Sequence, residues 1–297
     1  KGRFRVADPS IISLKQIGMV TTSVFTDINH DGWADLVIGG EWMPIKVFIN
    51  DHGKFRATEI GHSSGLWQTI SVADVNSDGF PDLLAGNWGQ NSKLFAGKEG
   101  PLKLYVKDFD NNGSVEQIMT YTINGQEYPF LGKDQLEMAL PKLKKDHLSY
   151  NDVAGKTVQY LMGDMFQGYL ELKAETLSSS CFINDGKGNF TKIDLPAELQ
   201  LSPVFSFSAF DHDSRKNYIA AGNFYGVSPY EGQYDAMLPS IFAFDKKTGK
   251  FYLLSQLSTE NGEFRDARCI QAGHKTQLLI LARNNNKLIF LKPASKS

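Results

Sequence analysis

The chain has 297 residues, of which 41% are hydrophobic and 22% charged, and a formal net charge of −2. That length holds one large β domain or two ordinary ones, and the near-neutral charge gives no footprint for nucleic acid. No apolar run reaches the length of a membrane-spanning helix, and the two cysteines, Cys181 and Cys269, form neither a metal spacing nor a CxxC.

The chain opens on Lys1-Gly-Arg-Phe4 with no signal peptide, so it reads as a mature fragment or excised domain of a longer protein. Phe4-Arg-Val-Ala7 reads as a lone short strand. A strand over Thr22–Thr26 then leads into the acidic loop Asp27-Ile-Asn29-His-Asp31-Gly32-Trp33-Ala-Asp35. Strands follow at Leu36–Gly39, Ile45–Ile49 and Phe55–Ile60. The last two are joined by a turn ending in Gly53-Lys-Phe55, where Asn, Asp and Gly supply positive-φ positions. The acidic loop recurs as Asp74-Val-Asn76-Ser-Asp78-Gly79-Phe80-Pro-Asp82, followed by the apolar run Leu83-Leu-Ala85. A third copy, Asp108-Phe-Asp110-Asn-Asn112-Gly113-Ser114-Val-Glu116, lies between Leu104–Lys107 and Ile118–Thr122. Its spacing places it within the second repeat unit.

Each loop sets oxygen side chains at positions 1, 3, 5 and 9 and glycine at 6. Alternate residues of a tight turn converge on one point, and glycine permits the sharp reversal where a Cβ would clash. The carbonyl at position 7 (Trp33, Phe80, Ser114) can add a further oxygen. Such all-oxygen cages suit Ca²⁺, which takes six to eight oxygens, and up to three structural ions are expected. The opening matches an EF-hand loop, but the closing acid comes at position 9 rather than 12 and strand-like runs follow. The alternative is three polar turns with no metal, at the cost of self-repulsion among clustered carboxylates. Mg²⁺ fits less well because it keeps its waters.

Beyond the third loop, Asp134-Gln-Leu-Glu137 resembles a capping box. Leu136, Leu140 and Leu143, and then Val158, Leu161, Met162 and Met165, follow helical spacing. Two helices are expected in an insertion over about 134–170, either a lid packed on the sheets or an element that docks a partner. The Gly-x-Phe turn returns at Asn184–Phe190 and Asp245–Phe251. Phe205–Phe210 and Tyr218–Phe224 mirror the first strand pairs, and Ala221-Gly-Asn223 repeats Ala85-Gly-Asn87. The loop between them, Asp211 to Asn217, is one residue short and lacks the glycine and closing acid, so it reads as having lost its metal. The last unit, Arg268–Gln271, Gln277–Leu281 and Lys287–Leu291, has three strands, and Phe4–Ala7 can supply the fourth and close a ring.

Four antiparallel strands in roughly 40 residues is the period of a propeller blade. The prediction is an all-β chain, a single β-propeller domain over 1–297 with about five four-stranded blades and one helical insertion. These residues resemble the FG-GAP/VCBS repeat family: Asp27 to Gly40 and Asp74 to Gly86 match its strand, D-x-[ND]-x-D-G-x-x-D-[LI] loop and glycine turn. Leu104 to Gly113, Gly222-Asn-Phe-Tyr-Gly226 and Tyr234-Asp235 look like large secreted VCBS-repeat proteins of Bacteroidetes-type bacteria. The resemblance implies an integrin-α-like propeller whose calcium loops brace the blades while ligands bind on loops elsewhere.

Other chemistry is thin. Ala154-Gly-Lys-Thr157 lacks the glycine a phosphate loop needs five positions before Gly155, where Tyr150 stands, and no HExxH or Gly-x-Ser-x-Gly occurs. Glu41, Glu127, Glu171 and Glu231 are the candidate acids for glycoside chemistry, with nothing to separate them from surface glutamates. Trp42, Trp67, Trp88, Tyr225, Tyr230 and Tyr234 lie near strand ends, where they stack on sugar rings or serve as wedges between sheets. The expected function is a non-catalytic binding module for a protein or glycan, secreted, periplasmic or on the cell surface. The alternatives are a polysaccharide lyase or hydrolase on the same scaffold, and a purely structural segment of a larger surface protein.

Overall fold

The second repeated run in each unit is apolar without alternation, which requires a strand covered on both faces. The computed structural model, which describes residues 12–97, 99–212, 215–227, 232–272 and 276–292, builds the molecule on such strands. The first sheet is a meander of β1 (Met19–Thr26), β2 (Asp35–Met43), β3 (Lys46–Asp51) and β4 (Lys54–Glu59), with the two-residue β5 (Gly65–Leu66) paired to the end of β2. The chain then enters a second sheet through β6 (Thr69–Ala73) and β7 (Asp82–Gly86).

Before that sheet is completed, the chain makes a separate one from β8 (Leu102–Lys107), β9 (Glu116–Ile123) and β10 (Gln126–Pro129). Four short helices follow, α1 (Lys133–Ala139), α2 (Leu143–Asp146), α3 (Tyr150–Val153) and α4 (Val158–Met162), and then β11 (Leu170–Ala174) pairs with β8. The second sheet resumes with β12 (Ser180–Asn184) and β13 (Phe190–Asp194). The third consists of β14 (Val204–His212), β15 (Arg215–Gly222), β16 (Ser240–Asp245) and β17 (Lys250–Gln256). The last has β18 (Phe264–Ala272), β19 (Thr276–Arg283) and β20 (Ile289–Leu291).

The first strands β1, β6, β14 and β18 are neighbours in succession, which is the arrangement of propeller blades around an axis. Side-chain hydroxyls join β6 to β1 and β18 to β14. The N–H of Ile70 donates to Thr22 Oγ1 (3.1 Å), that of Ala267 to Ser206 Oγ (3.0 Å) and that of Cys269 to Ser208 Oγ (3.0 Å). The second strands are buried throughout β7 and over most of β2 and β15. Aromatic wedges fill the gaps between blades. Trp67 lies edge-on to Phe182 between the first two, and Tyr218 and Phe242 pack between the next two, where the free thiol of Cys181 is also buried.

Three glycines let these strands approach. A Cβ on Gly40 would lie 2.1 Å from Met19 O and one on Gly222 1.9 Å from Pro203 O, each at the start of its own blade, whereas one on Gly86 would lie 2.3 Å from Val204 O of the next blade. Backbone cannot retreat as a flexible side chain can, so Gly222→Ala should cost about 2 kcal/mol. A urea-unfolding midpoint equal to the parent's would refute that crowding.

The repeat count predicts about five blades; among the described residues there are five sheets, four in the succession of blades and one outside it. The third acidic loop joins β8 to β9 on this inserted sheet. Its placement within the second blade is therefore corrected: it falls between β7 and β12 in the chain but belongs to a sheet of its own. The helical insertion also differs from expectation. Four short helices replace two, and they cover one face of the inserted sheet. Leu136, Leu140, Leu143, Val158, Leu161 and Met162 pack there on Tyr105, Phe109 and Ile118. The cap lies at Gly132, whose N–H donates to Gln135 Oε1 (3.0 Å), not at Asp134. Phe4–Ala7, and with it the expected ring closure, lies outside the described residues.

Candidate metal centres and the opposite face

The three acidic loops adopt one conformation. Position 4 is left-handed in each, with φ of 59° at His30, 57° at Ser77 and 58° at Asn111. Position 6 is left-handed as well, at 89°, 97° and 90° for Gly32, Gly79 and Gly113. Nothing lies near where a Cβ on these glycines would stand, so the dihedral angle, rather than a clash with neighbours, selects glycine there.

Backbone amides orient the oxygens in the same way each time. Asp27 accepts the N–H groups of Asp31 (3.1 Å) and Gly32 (2.8 Å), and Asn29 Oδ1 accepts Asp31 N–H (3.1 Å). Asp31 Oδ1 accepts Trp33 N–H at 2.8 Å. Asp74, Asn76 and Asp78 repeat these bonds toward Asp78, Gly79 and Phe80, and Asp108, Asp110 and Asn112 repeat them toward Asn112, Gly113 and Ser114.

The closing acid behaves differently from the others. Asp35 and Asp82 are fully buried, and Glu116 nearly so. Asp35 Oδ2 accepts Ile28 N–H (2.8 Å) and its Oδ1 accepts Asn50 N–H (2.7 Å). Asp82 Oδ2 accepts Val75 N–H (2.9 Å) and its Oδ1 accepts Asn184 N–H (2.8 Å). Glu116 Oε2 accepts Phe109 N–H at 2.8 Å. Asn50 and Asn184 are the first residues of two Gly-x-Phe turns, so the two sequence repeats meet at these carboxylates. The acid and the turn stand 15 residues apart in the first unit and 102 apart in the second, so no local spacing signals that they meet.

Burial raises the pKa of Asp82 to about 6, with Asp78 and Asp74 adding repulsion against the lowering effect of the two amide bonds. Asp35 is raised for the same reasons. Among the described residues, the third loop brings three acids, Asp108, Asp110 and Glu116, within 4.8 Å of one another. The first two loops carry acids at positions 1, 5 and 9 instead, with Asn29 and Asn76 at position 3.

A hard dication fits this donor set. All side-chain donors are oxygens, amide hydrogen bonds already orient them, and each carboxylate oxygen retains a lone pair. The cation would also offset the burial and repulsion that disfavour the closing carboxylates. The degenerate fourth copy has a different geometry: Asp211 pairs with Lys216 and Phe210 with Asn217 on the antiparallel strands β14 and β15.

Because strands alternate in direction, the acidic loops and Gly-x-Phe turns share one end of the blades. The long connections emerge at the other end: residues 87–179 after β7 and 223–239 after β15. Buried asparagines anchor both. Asn87 Nδ2 donates to Thr176 O (3.0 Å), and Asn223 Nδ2 donates to Met237 O (2.9 Å) and Gly262 O (3.0 Å). Along the first strands runs an open cleft of about 740 Å³, lined in part by Thr22, Ser71, Ser208, Asp266 and Arg268.

The six aromatic candidates are mostly spent on packing. Trp67 is fully buried, with Nε1–H donating to Ser63 O (2.7 Å), and offers no face to a sugar. Trp42 and Tyr234 are buried as well. Trp88 keeps partial exposure and lies edge-on to Phe224 and Tyr234, with ring centroids 5.4 and 5.6 Å away. Tyr225 is half-buried, and Tyr230 lies outside the described residues. Among the acids, Glu127 and Glu171 meet at Lys103 Nζ, at 2.8 and 3.3 Å, and Tyr105 hydroxyl donates to Glu127. A lysine bridges this pair, which fits a cross-strand ion network. Glu41 accepts Gln68 Nε2–H at 2.8 Å, and Glu231 lies outside the described residues.

Fold and loops together define a propeller-type repeat chain with acidic loops at one end of its blades. A family model described as FG-GAP-like repeat matches residues 27–85, which span the first two loops. A search of curated proteins finds no match. Among the described residues, no helix is long and apolar enough to cross a membrane.

Proposed function

We propose that this chain is a calcium-braced β-propeller module that binds a protein or a glycan outside the cytoplasm, through the end opposite its acidic loops. The observation that carries this reading is the burial of the closing carboxylates, tied to backbone amides of the core. A cation held there joins strands of a blade, which is a brace, while the far end carries the long connections. Loops of this design draw on the millimolar calcium found outside cells, and the FG-GAP-like match over two of them supports the same setting. The inserted sheet and the first-strand cleft are the surfaces on which a partner would sit.

The test pairs a glycan array with a turnover assay on plant and host polysaccharides, both in calcium buffer. Saturable binding without turnover is the expected result. Turnover would move the assignment to a polysaccharide lyase or hydrolase. Silence on the array and against candidate surface proteins would leave a structural segment.

A further inference from the structure

The first two acidic loops lie on different blades, yet one buried side chain touches both. Asn184 ends β12 of the second blade and is fully buried. Its N–H donates to Asp82 Oδ1, the closing carboxylate of the second loop, at 2.8 Å. Its Nδ2 donates to Ile28 O of the first loop (2.8 Å) and to Pro81 O of the second (3.2 Å). Ile28 N–H in turn donates to Asp35 Oδ2, the closing carboxylate of the first loop, at 2.8 Å. A continuous hydrogen-bonded path therefore runs from one closing acid to the other.

A ring contact runs beside it. His30 of the first loop stacks on Phe80 of the second, with centroids 4.9 Å apart and planes at 30°. Gly186 also lies against the Phe80 ring; a Cβ there would come within 2.3 Å of Phe80 Cζ. The third loop sits on the inserted sheet, and its Glu116 is tied to Phe109 of its own loop.

We propose that the first and second loops bind calcium as a coupled pair, with Asn184 as the positioning residue that couples them, and that the third loop binds independently. This rests on the calcium reading above. An ion that fixes Asp82 fixes Asn184, which fixes Ile28 and the carboxylate it holds. Coupling of this kind is reciprocal by necessity.

Terbium(III) luminescence can test it, because the chain's four tryptophans are unequally placed. Trp33 is position 7 of the first loop, whereas Trp42, Trp67 and Trp88 follow at or near the far end of the blades. Emission sensitised through tryptophan therefore reports the first loop. Asp78→Asn, which weakens only the second loop, should raise the terbium concentration at half signal by about fivefold or more, the ordinary range of site-to-site coupling. Asn112→Ala in the third loop should leave that concentration unchanged. In an Asn184→Ala background, Asp78→Asn should no longer shift it. Phe80→Ala, which removes the ring contact and keeps every oxygen donor, should shrink the shift and serves if Asn184→Ala does not fold.

An unchanged half-signal concentration in Asp78→Asn, or a full shift that survives Asn184→Ala or Phe80→Ala, overturns the coupling. Absence of calcium-displaceable terbium emission from the parent chain overturns the calcium reading itself, so the two failures are distinguishable.

Discussion

Chelating calcium should lower the thermal unfolding midpoint of this chain by roughly 15 °C at pH 7.5. An ion that binds only the folded state stabilises it by mass action, by about 2.7 kcal/mol for each site held at a hundred times its dissociation constant. Three such sites add about 8 kcal/mol, and a chain of this size converts each kcal/mol to roughly 2 °C. The effect should also depend on pH, with a sign that follows from Asp82. Its carboxyl is raised from 3.8 in the unfolded chain to about 6 in the metal-free fold. Between those values the folded state keeps a proton that the unfolded chain has released. The metal-free fold is therefore favoured on the acid side of that window and loses this advantage as pH rises through about 6. Calcium needs the ionised carboxylate, so its contribution grows over the same range. Melting curves with calcium and with chelator should stand further apart at pH 7.5 than at pH 5. Coincident curves at pH 7.5 would sink the metal assignment.

Asp82→Ala should destabilise the chain by about 3 kcal/mol even in chelator. Its carboxylate is the acceptor for the N–H groups of Val75 and Asn184, in a site closed to water. Removing it leaves two buried donors unsatisfied, at about 1–3 kcal/mol each, partly offset by the loss of a buried, repelled charge. Asp82→Asn keeps one acceptor oxygen and should lose roughly half as much. Asp27→Ala removes an acceptor in the exposed part of the first loop, where water replaces it, and should cost about 1 kcal/mol or less without metal. Urea unfolding in chelator compares the three. Equal losses for Asp82→Ala and Asp27→Ala would show that the closing acid is not a structural clamp.

The elements that announce themselves in the sequence do so through local chemistry. Leu36-Val-Ile38 and Leu83-Leu-Ala85 are unbroken apolar runs because β2 and β7 are covered on both faces. The acidic loops stand out because left-handed turns leave few choices at position 6. The Gly-x-Phe turns stand out for the same reason, and each joins the third and fourth strands of a blade. The inserted sheet stays hidden because its strands and loop use the same local code as the blades. Only pairing reveals that β11 returns to β8 while β12 returns to β7. The capping position is offset because Gln135 reaches back to Gly132, a bond that Asp134 and Glu137 imitate in spacing alone.

The aromatic candidates divide along the same line. Nothing local separates Trp67, sealed between two blades, from Trp88, which keeps an exposed edge. By itself, the sequence determined the strand repeats, the oxygen donors and the turns that present them, since each depends on residues within about ten positions of one another. The tertiary structure alone decided which sheet each loop belongs to, that closing acids are buried clamps, and that Asn184 reaches across blades to Ile28. Those facts depend on contacts between residues as much as 156 positions apart, which no local pattern encodes.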